Sequence, residues 1–260
     1  MTRPLLTLAL LVPACAYPTD EALFPGPEGP PRIVSTTPED GATDVPVNPK
    51  VGLTFDRYLD PFATDAPRAM SLSSGGETVA INARYDIVTR TVWAEPVEPL
   101  APGVLYSLKL DEPRALPDFA GRATEGPVEV RFVTGETERV IEPRLANVRE
   151  ALQFEVLEGP FGCLGCHADG SPFPRTDLSL SNPEALAGLP ARTAPGRELV
   201  VPGFPERSYL LHKVLPGYPD RVGAPMPLSI GPDGQPQDPP FEDEEILRMS
   251  RIIADWIASL

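Results

Sequence analysis

The sequence predicts a multidomain protein, an all-β antiparallel sandwich over residues 32–136 followed by an all-α domain over residues 137–260. Three observations predict it. Between residues 32 and 134 short β-rich runs recur, several alternating in period two, as in Val51, Leu53 and Phe55. That spacing puts one face of a strand on a core. After residue 143 the period becomes helical, first in Leu145, Val148, Leu152 and Val156 and last in Ile246, Met249, Ile253, Trp256, Ile257 and Leu260. Between these regions residues 136–143 are charged and aperiodic, which reads as a linker. A chain of 260 residues is long enough for each part to bury its own core. Its 35 prolines and 21 glycines favour turns and edge strands over long helices.

Residues 1–15 carry Arg3, an apolar run from Leu5 to Val12, and then Pro13-Ala14-Cys15. The run is too short to span a membrane and reads as an export signal. Residues 16–31, rich in Pro and Gly, hold too few apolar side chains to bury and read as an extended tether. Strands are expected at 32–36, 51–56, 69–72, 78–86, 90–95, 104–110 and 128–133. Seven short strands make an antiparallel sandwich, and no cysteine pair staples it. Trp93 and Tyr85 read as core or cross-strand residues. In the second half Gly159-Pro160 end the first helix and residues 170–174 form a loop. Asn182 caps a short helix with Pro183 at its first position. Another helix is expected at 205–215, and acidic residues at 242–245 favour the start of the last one.

The chemistry concentrates in Cys163-Leu164-Gly165-Cys166-His167, the Cys-x-x-Cys-His signature of c-type haem attachment. Two thiols at this spacing add across the two vinyl groups of one porphyrin, and the histidine beside them becomes the proximal iron ligand. A zinc site would want four ligands, whereas the chain holds three cysteines and two histidines. A thioredoxin-like pair would start a helix after a buried strand, whereas Phe161-Gly162 follow a helical stretch. An exported structural disulfide stays open on the five residues alone, and the flanks favour haem. Electron transfer needs a sixth iron ligand, for which Met226, His212, Met249 and Met70 are the candidates. Met226 lies between prolines, so its sulfur has little conformational freedom to lose. His212 reads as a helix-surface or core residue and Met249 as core. Tyr209, Lys213 and Arg221 are candidates to meet haem propionates, weighed against ordinary packing.

Three stretches resemble known families. Residues 35–48, from Ser35-Thr36-Thr37-Pro38 to Pro46-Val47-Asn48, with Val51-Gly52-Leu53-Thr54-Phe55-Asp56 and the later Leu100-Ala101-Pro102-Gly103-Val104-Leu105-Tyr106, resemble bacterial Ig-like domains of exported proteins. That resemblance covers 32–136 and implies a spacer or binding module without chemistry of its own. A helix before Cys-x-x-Cys-His, small helices, Val222-Gly223-Ala224-Pro225-Met226-Pro227 and a last helix ending in Trp256-Ile257 resemble class I c-type cytochromes over 140–260. This implies one haem c tethered by Cys163 and Cys166, with His167 and Met226 as axial ligands. The loop after His167 is short for that pattern. Finally, Ala14-Cys15 resembles the end of a bacterial lipoprotein signal and implies lipidation at Cys15, although Val12 and Pro13 depart from the usual residues. Simple secretion is the alternative.

Together these readings give an exported monohaem cytochrome of the periplasm or cell envelope, lipid-anchored to a membrane, an electron carrier rather than a catalyst. Its partner would be an unidentified redox protein. A net charge of -15 argues against nucleic acid. Two alternatives belong to other classes: a haem enzyme or gas sensor with a labile sixth ligand, and a surface binding protein acting through the Ig-like part.

Overall fold

The computed structural model describes residues 28–126, 128–140, 147–170, 178–227, 229–230, 236–237 and 243–260. The expected export signal, Cys15, most of the expected tether, Leu145 and positions 171–174 lie outside the described residues. No described helix is long and apolar enough to cross a membrane.

The first half is a two-sheet sandwich. One sheet orders β1 (Ile33–Thr37), β3 (Val51–Phe55), β7 (Thr91–Pro96) and β6 (Ile81–Asp86) as β1-β3-β7-β6. The other orders β2 (Ala42–Val45), β9 (Glu129–Thr134), β8 (Leu105–Leu110), β4 (Met70–Ser74) and β5 (Glu77–Val79) as β2-β9-β8-β4-β5. All pairs are antiparallel except β2 with β9, which run parallel. Alternation works as expected: Val51, Leu53, Phe55, Val92 and Ala94 face inward and meet Leu72, Leu108, Leu110, Val130 and Phe132 of the facing sheet in one buried cluster. The Tyr106 hydroxyl accepts from the Ala101 N–H at 3.0 Å and pins the loop before β8.

Two expectations for the strands of this half differ from the structure. The run 78–86, expected as one strand, divides at Ala80 into β5 and β6, which lie at the edges of different sheets. Its alternation continues across the switch, so the pattern carries no sign of it. Strand β2 was not expected, because Ala42 and Asp44 have low strand propensity and Asp44 takes a left-handed φ of 58°.

Helix α1 (Ala66–Ala69) bridges β3 and β4, its N-terminus capped by the Asp65 carboxylate accepting from the Arg68 N–H. In the second half, α2 (Val148–Ala151) widens into a π-helical stretch over Leu152–Leu157. It ends where a Cβ on Gly159 would stand 2.0 Å from the Phe154 carbonyl oxygen, so only glycine lets the chain turn there. Then come α3 (Leu164–His167), 3₁₀ turns at Pro183–Leu186 and Pro205–Arg207, α4 (Tyr209–Val214), the small antiparallel pair β10 (Ser229–Ile230) and β11 (Pro236–Gln237), and α5 (Asp243–Ser259), so the part expected to be all-α carries a short strand pair and mostly short helical turns. Helix α5 buries Ile246, Met249, Ile252, Ile253, Trp256 and Ile257, while Leu260 is exposed.

The halves do not keep separate cores. One continuous buried cluster runs from Leu53, Phe55 and Leu59 to Leu211, Leu215, Tyr218 and Trp256. Polar bonds cross the same boundary: the Tyr58 hydroxyl donates to the Pro216 carbonyl at 2.9 Å, and Arg251 of α5 pairs with Asp86 of β6 at 2.8 Å.

Candidate functional site

The motif turn is built by the backbone before it. Gly162 takes a left-handed φ of 56°, and the Cys163 N–H reaches back to the Val156 carbonyl at 3.3 Å. Helix α3 then closes with the His167 N–H donating to the Cys163 carbonyl at 3.0 Å. Two thiols three residues apart therefore share one helical turn with the imidazole directly after them. Cys163 is half-buried and Cys166 exposed. Burial pushes the Cys163 thiol up to about 11, and the neighbouring Cys166 acts in the same direction.

His167 is oriented by the segment that returns beside it. The Leu180 N–H donates to the His167 carbonyl at 2.7 Å, and His167 Nδ1 lies 3.2 Å from the Leu178 carbonyl oxygen. A carbonyl only accepts, so Nδ1 carries a proton, and in the neutral ring Nε2 then keeps its lone pair. This is how a metal-ligating histidine has its tautomer fixed by a backbone carbonyl. The Leu178 carbonyl has no sequence signature, because every residue carries a backbone carbonyl and only the fold selects one as partner.

Met226 is held elsewhere, by α4. Its N–H donates to the Lys213 carbonyl at 2.8 Å, and Lys213 Nζ donates to the Val222 and Ala224 carbonyls at 3.0 and 2.6 Å. The Val222 N–H donates to the Tyr209 hydroxyl at 3.1 Å, and Arg221 Nη1 donates to the Leu215 carbonyl at 2.8 Å. The three residues considered for propionates thus tie down the loop 215–226. Met226 is partly buried against the core. Among the described residues no hydrogen bond or ring contact joins Met226 to His167.

His212 is a core residue. It is 0% exposed, stacks on Tyr218 at 4.3 Å between centroids, and places Nε2 2.9 Å from the Glu206 carbonyl. Nε2 therefore carries the proton, and Nδ1 is buried without a hydrogen-bond partner. Burial pushes its pKa down to about 4. Met70 and Met249 are buried in β4 and α5.

The donor set fits haem c: two thiols on one turn and an imidazole whose bare nitrogen is Nε2. Among the described residues no group of three or more His, Cys, Asp or Glu is placed to hold a metal ion by itself. Two clefts, of about 350 Å³ beside Arg149, Gln153 and Trp256 and about 500 Å³ beside Tyr58, Arg90 and Arg251, are not lined by the motif or by Met226.

Residues 27–134 match the family model of the bacterial Ig-like domain, so the resemblance expected at 32–136 holds for this part. The match ends before the Cys-x-x-Cys-His motif. No curated protein matches the chain. Among solved structures the chain is similar to the S-layer protein rSbsC, with 17% identity over 40% of this chain and 14% of that one and a TM-score of 0.31. It is also similar to L,D-transpeptidase 1 of Mycobacterium tuberculosis, with 21% identity, coverage of 40% and 39% and a TM-score of 0.27. A third is PcoC, a methionine-rich copper resistance protein from Escherichia coli, with 21% identity, coverage of 41% and 99% and a TM-score of 0.30. The chain thus spans about a seventh of the S-layer protein's length.

Proposed function

We propose that the chain is an exported one-electron carrier, a c-type cytochrome domain joined to a bacterial Ig-like domain. Cys163 and Cys166 would hold one haem c, and His167 and Met226 would ligate its iron. The observation that carries this reading is His167, whose Nδ1 is engaged by the Leu178 carbonyl at 3.2 Å while the thiols that would tether a porphyrin share its helical turn.

When bound, the haem iron supplies one-electron exchange between its ferric and ferrous states. Cys163 and Cys166 would hold the group through two thioether links, each thiol adding its sulfur and its proton across one vinyl group. The Leu178 carbonyl holds the His167 ring in one orientation and makes Nε2 more basic. Met226 offers a neutral thioether, which favours reduced iron and raises the potential. Cys15 is proposed as the lipidated residue, with residues 16–31 as tether to a membrane and a separate redox protein as partner. Several acyl chains are needed for durable anchoring. The match at 27–134 also favours a second reading, a surface binding role carried by the Ig-like domain.

The test is covalency. In protein matured with haem-attachment machinery, acid–acetone should leave the haem on the polypeptide, and Cys163→Ala with Cys166→Ala should abolish its retention. Colour that extracts freely, or no uptake at all, would overturn the cytochrome reading. If that double variant, with Cys15→Ala added to remove the proposed lipid anchor, still binds isolated cell envelopes as tightly as Cys15→Ala alone, the Ig-like domain carries a role of its own.

A further inference from the structure

The seam between the halves is aromatic and ends on the methionine loop. Tyr58 meets Tyr218 edge-on at 5.2 Å between ring centroids, and Phe119 meets the same ring edge-on at 5.4 Å. Phe62 meets His212 edge-on at 6.3 Å and carries the Arg197 guanidinium 3.8 Å from its ring centroid. Tyr58, Phe62 and Phe119 belong to the Ig-like half. Tyr218 and His212 belong to the other half, and both are 0% exposed.

These two rings back the two ends of the loop. His212 is on α4 beside Lys213, whose carbonyl receives the Met226 N–H and whose ammonium holds the Val222 and Ala224 carbonyls. Tyr218 lies within the loop, 226 − 218 = 8 residues before Met226. The 4.3 Å stack of His212 on Tyr218 joins the helix to the loop. A close-packed stack of this kind passes a displacement to the backbone on either side, because there is no void to absorb it.

We propose that the Ig-like half positions the methionine loop: Phe62, Tyr58 and Phe119 brace the His212–Tyr218 stack and so fix where Met226 stands. The redox consequence rests on the reading of Met226 as distal ligand, whereas the bracing itself does not. The Ig-like half is then a wall of the second domain and not a spacer. Phe62, Tyr58 and Phe119 are positioning residues, acting through the stack and the Lys213 bonds.

The experiment uses the full chain, with and without haem. Amide hydrogen exchange is followed by mass spectrometry in Phe62→Ala, in the conservative Phe62→Leu, and in Leu105→Ala, which alters an exposed side chain of β8. Phe62 is itself 44% exposed, so Phe62→Ala should speed exchange in 209–226 a few-fold, with β8 and β9 unchanged, as local opening does. Phe62→Leu should restore most of the protection, and Leu105→Ala should change nothing. Should Phe62→Ala not fold, Tyr58→Phe removes only the bond to Pro216 and should speed the same amides a few-fold. In the haem-loaded protein Phe62→Ala should weaken the sulfur-to-iron charge-transfer band and lower the potential. Unchanged exchange in 209–226, or a rise spread evenly over both halves, overturns the proposal. Faster exchange there with an unchanged band and potential supports the bracing and overturns Met226 as the ligand.

Discussion

At the scale of single residues the most informative group is His212. Its pKa is pushed down to about 4, chiefly by burial, with the Glu206 carbonyl opposing the shift and the Arg197 charge adding to it. The folded value lies below the ordinary 6.5, so the fold favours the neutral ring. The associated stability is complete above about pH 6.5 and is lost as pH falls towards 4. At about 1.4 kcal/mol per pH unit, protonation costs the fold about 3 kcal/mol by pH 4. The Glu206 carboxyl nearby is itself pushed up by burial, which works in the opposite sense as pH falls, so the comparison must be with a variant that keeps it. Between pH 7 and pH 4 the unaltered protein should therefore lose about 3 kcal/mol relative to His212→Phe in urea unfolding. Parallel stability curves would contradict this. Gly52 is a second sensitive position. A Cβ there would stand 2.5 Å from the Trp93 ring, which also carries Lys50 Nζ 4.2 Å from a ring centroid. Gly52→Ala should destabilise by about 1–3 kcal/mol through overpacking, read as a lowered denaturation midpoint.

At the scale of elements, α5 offers a graded test along one helix. Ile257 is fully buried, Leu247 is 40% exposed, and Arg251 pairs with Asp86 at 2.8 Å while partly solvated. Ile257→Ala should cost about 2–5 kcal/mol. Leu247→Ala should stay within about 0.5 kcal/mol, and Arg251→Ala should cost no more than about 1 kcal/mol because solvent screens the pair. A cost at Leu247 equal to that at Ile257 would mean that α5 is turned otherwise. The helix was legible because its apolar period is local, and the sandwich strands were legible for the same reason. The division of 78–86 at Ala80 and the pairing of β2 with β9 depend on which sheet each segment joins. That is a tertiary choice, and alternation does not encode it. The π-helical turn after α2 kept the expected buried positions Leu152 and Val156, so its spacing read simply as helix.

For the whole molecule, the Cys-x-x-Cys-His motif was legible because its spacing is written along the chain, whereas the seam was not. Tyr58, Phe62 and Phe119 lie outside the named strands and look in sequence like scattered loop aromatics; only the fold sets them against Tyr218 and His212. The aperiodic stretch 136–143 suggested two cores, yet the buried cluster is continuous. The consequence is cooperative unfolding, and the two tryptophans allow a direct test. Trp93 belongs to the Ig-like half and Trp256 to the other. In haem-free protein, Trp93→Phe leaves fluorescence from Trp256, and Trp256→Phe leaves it from Trp93. Phe132 is fully buried in β9, so adding Phe132→Ala to either variant should cost about 3–5 kcal/mol. If the continuous core unfolds as a unit, both reporters should show that same loss, although only Trp93 shares a half with Phe132. A loss seen by Trp93 while the Trp256 transition stays where it was would mean that the seam holds two independent units side by side, and the bracing of the methionine loop would go with it.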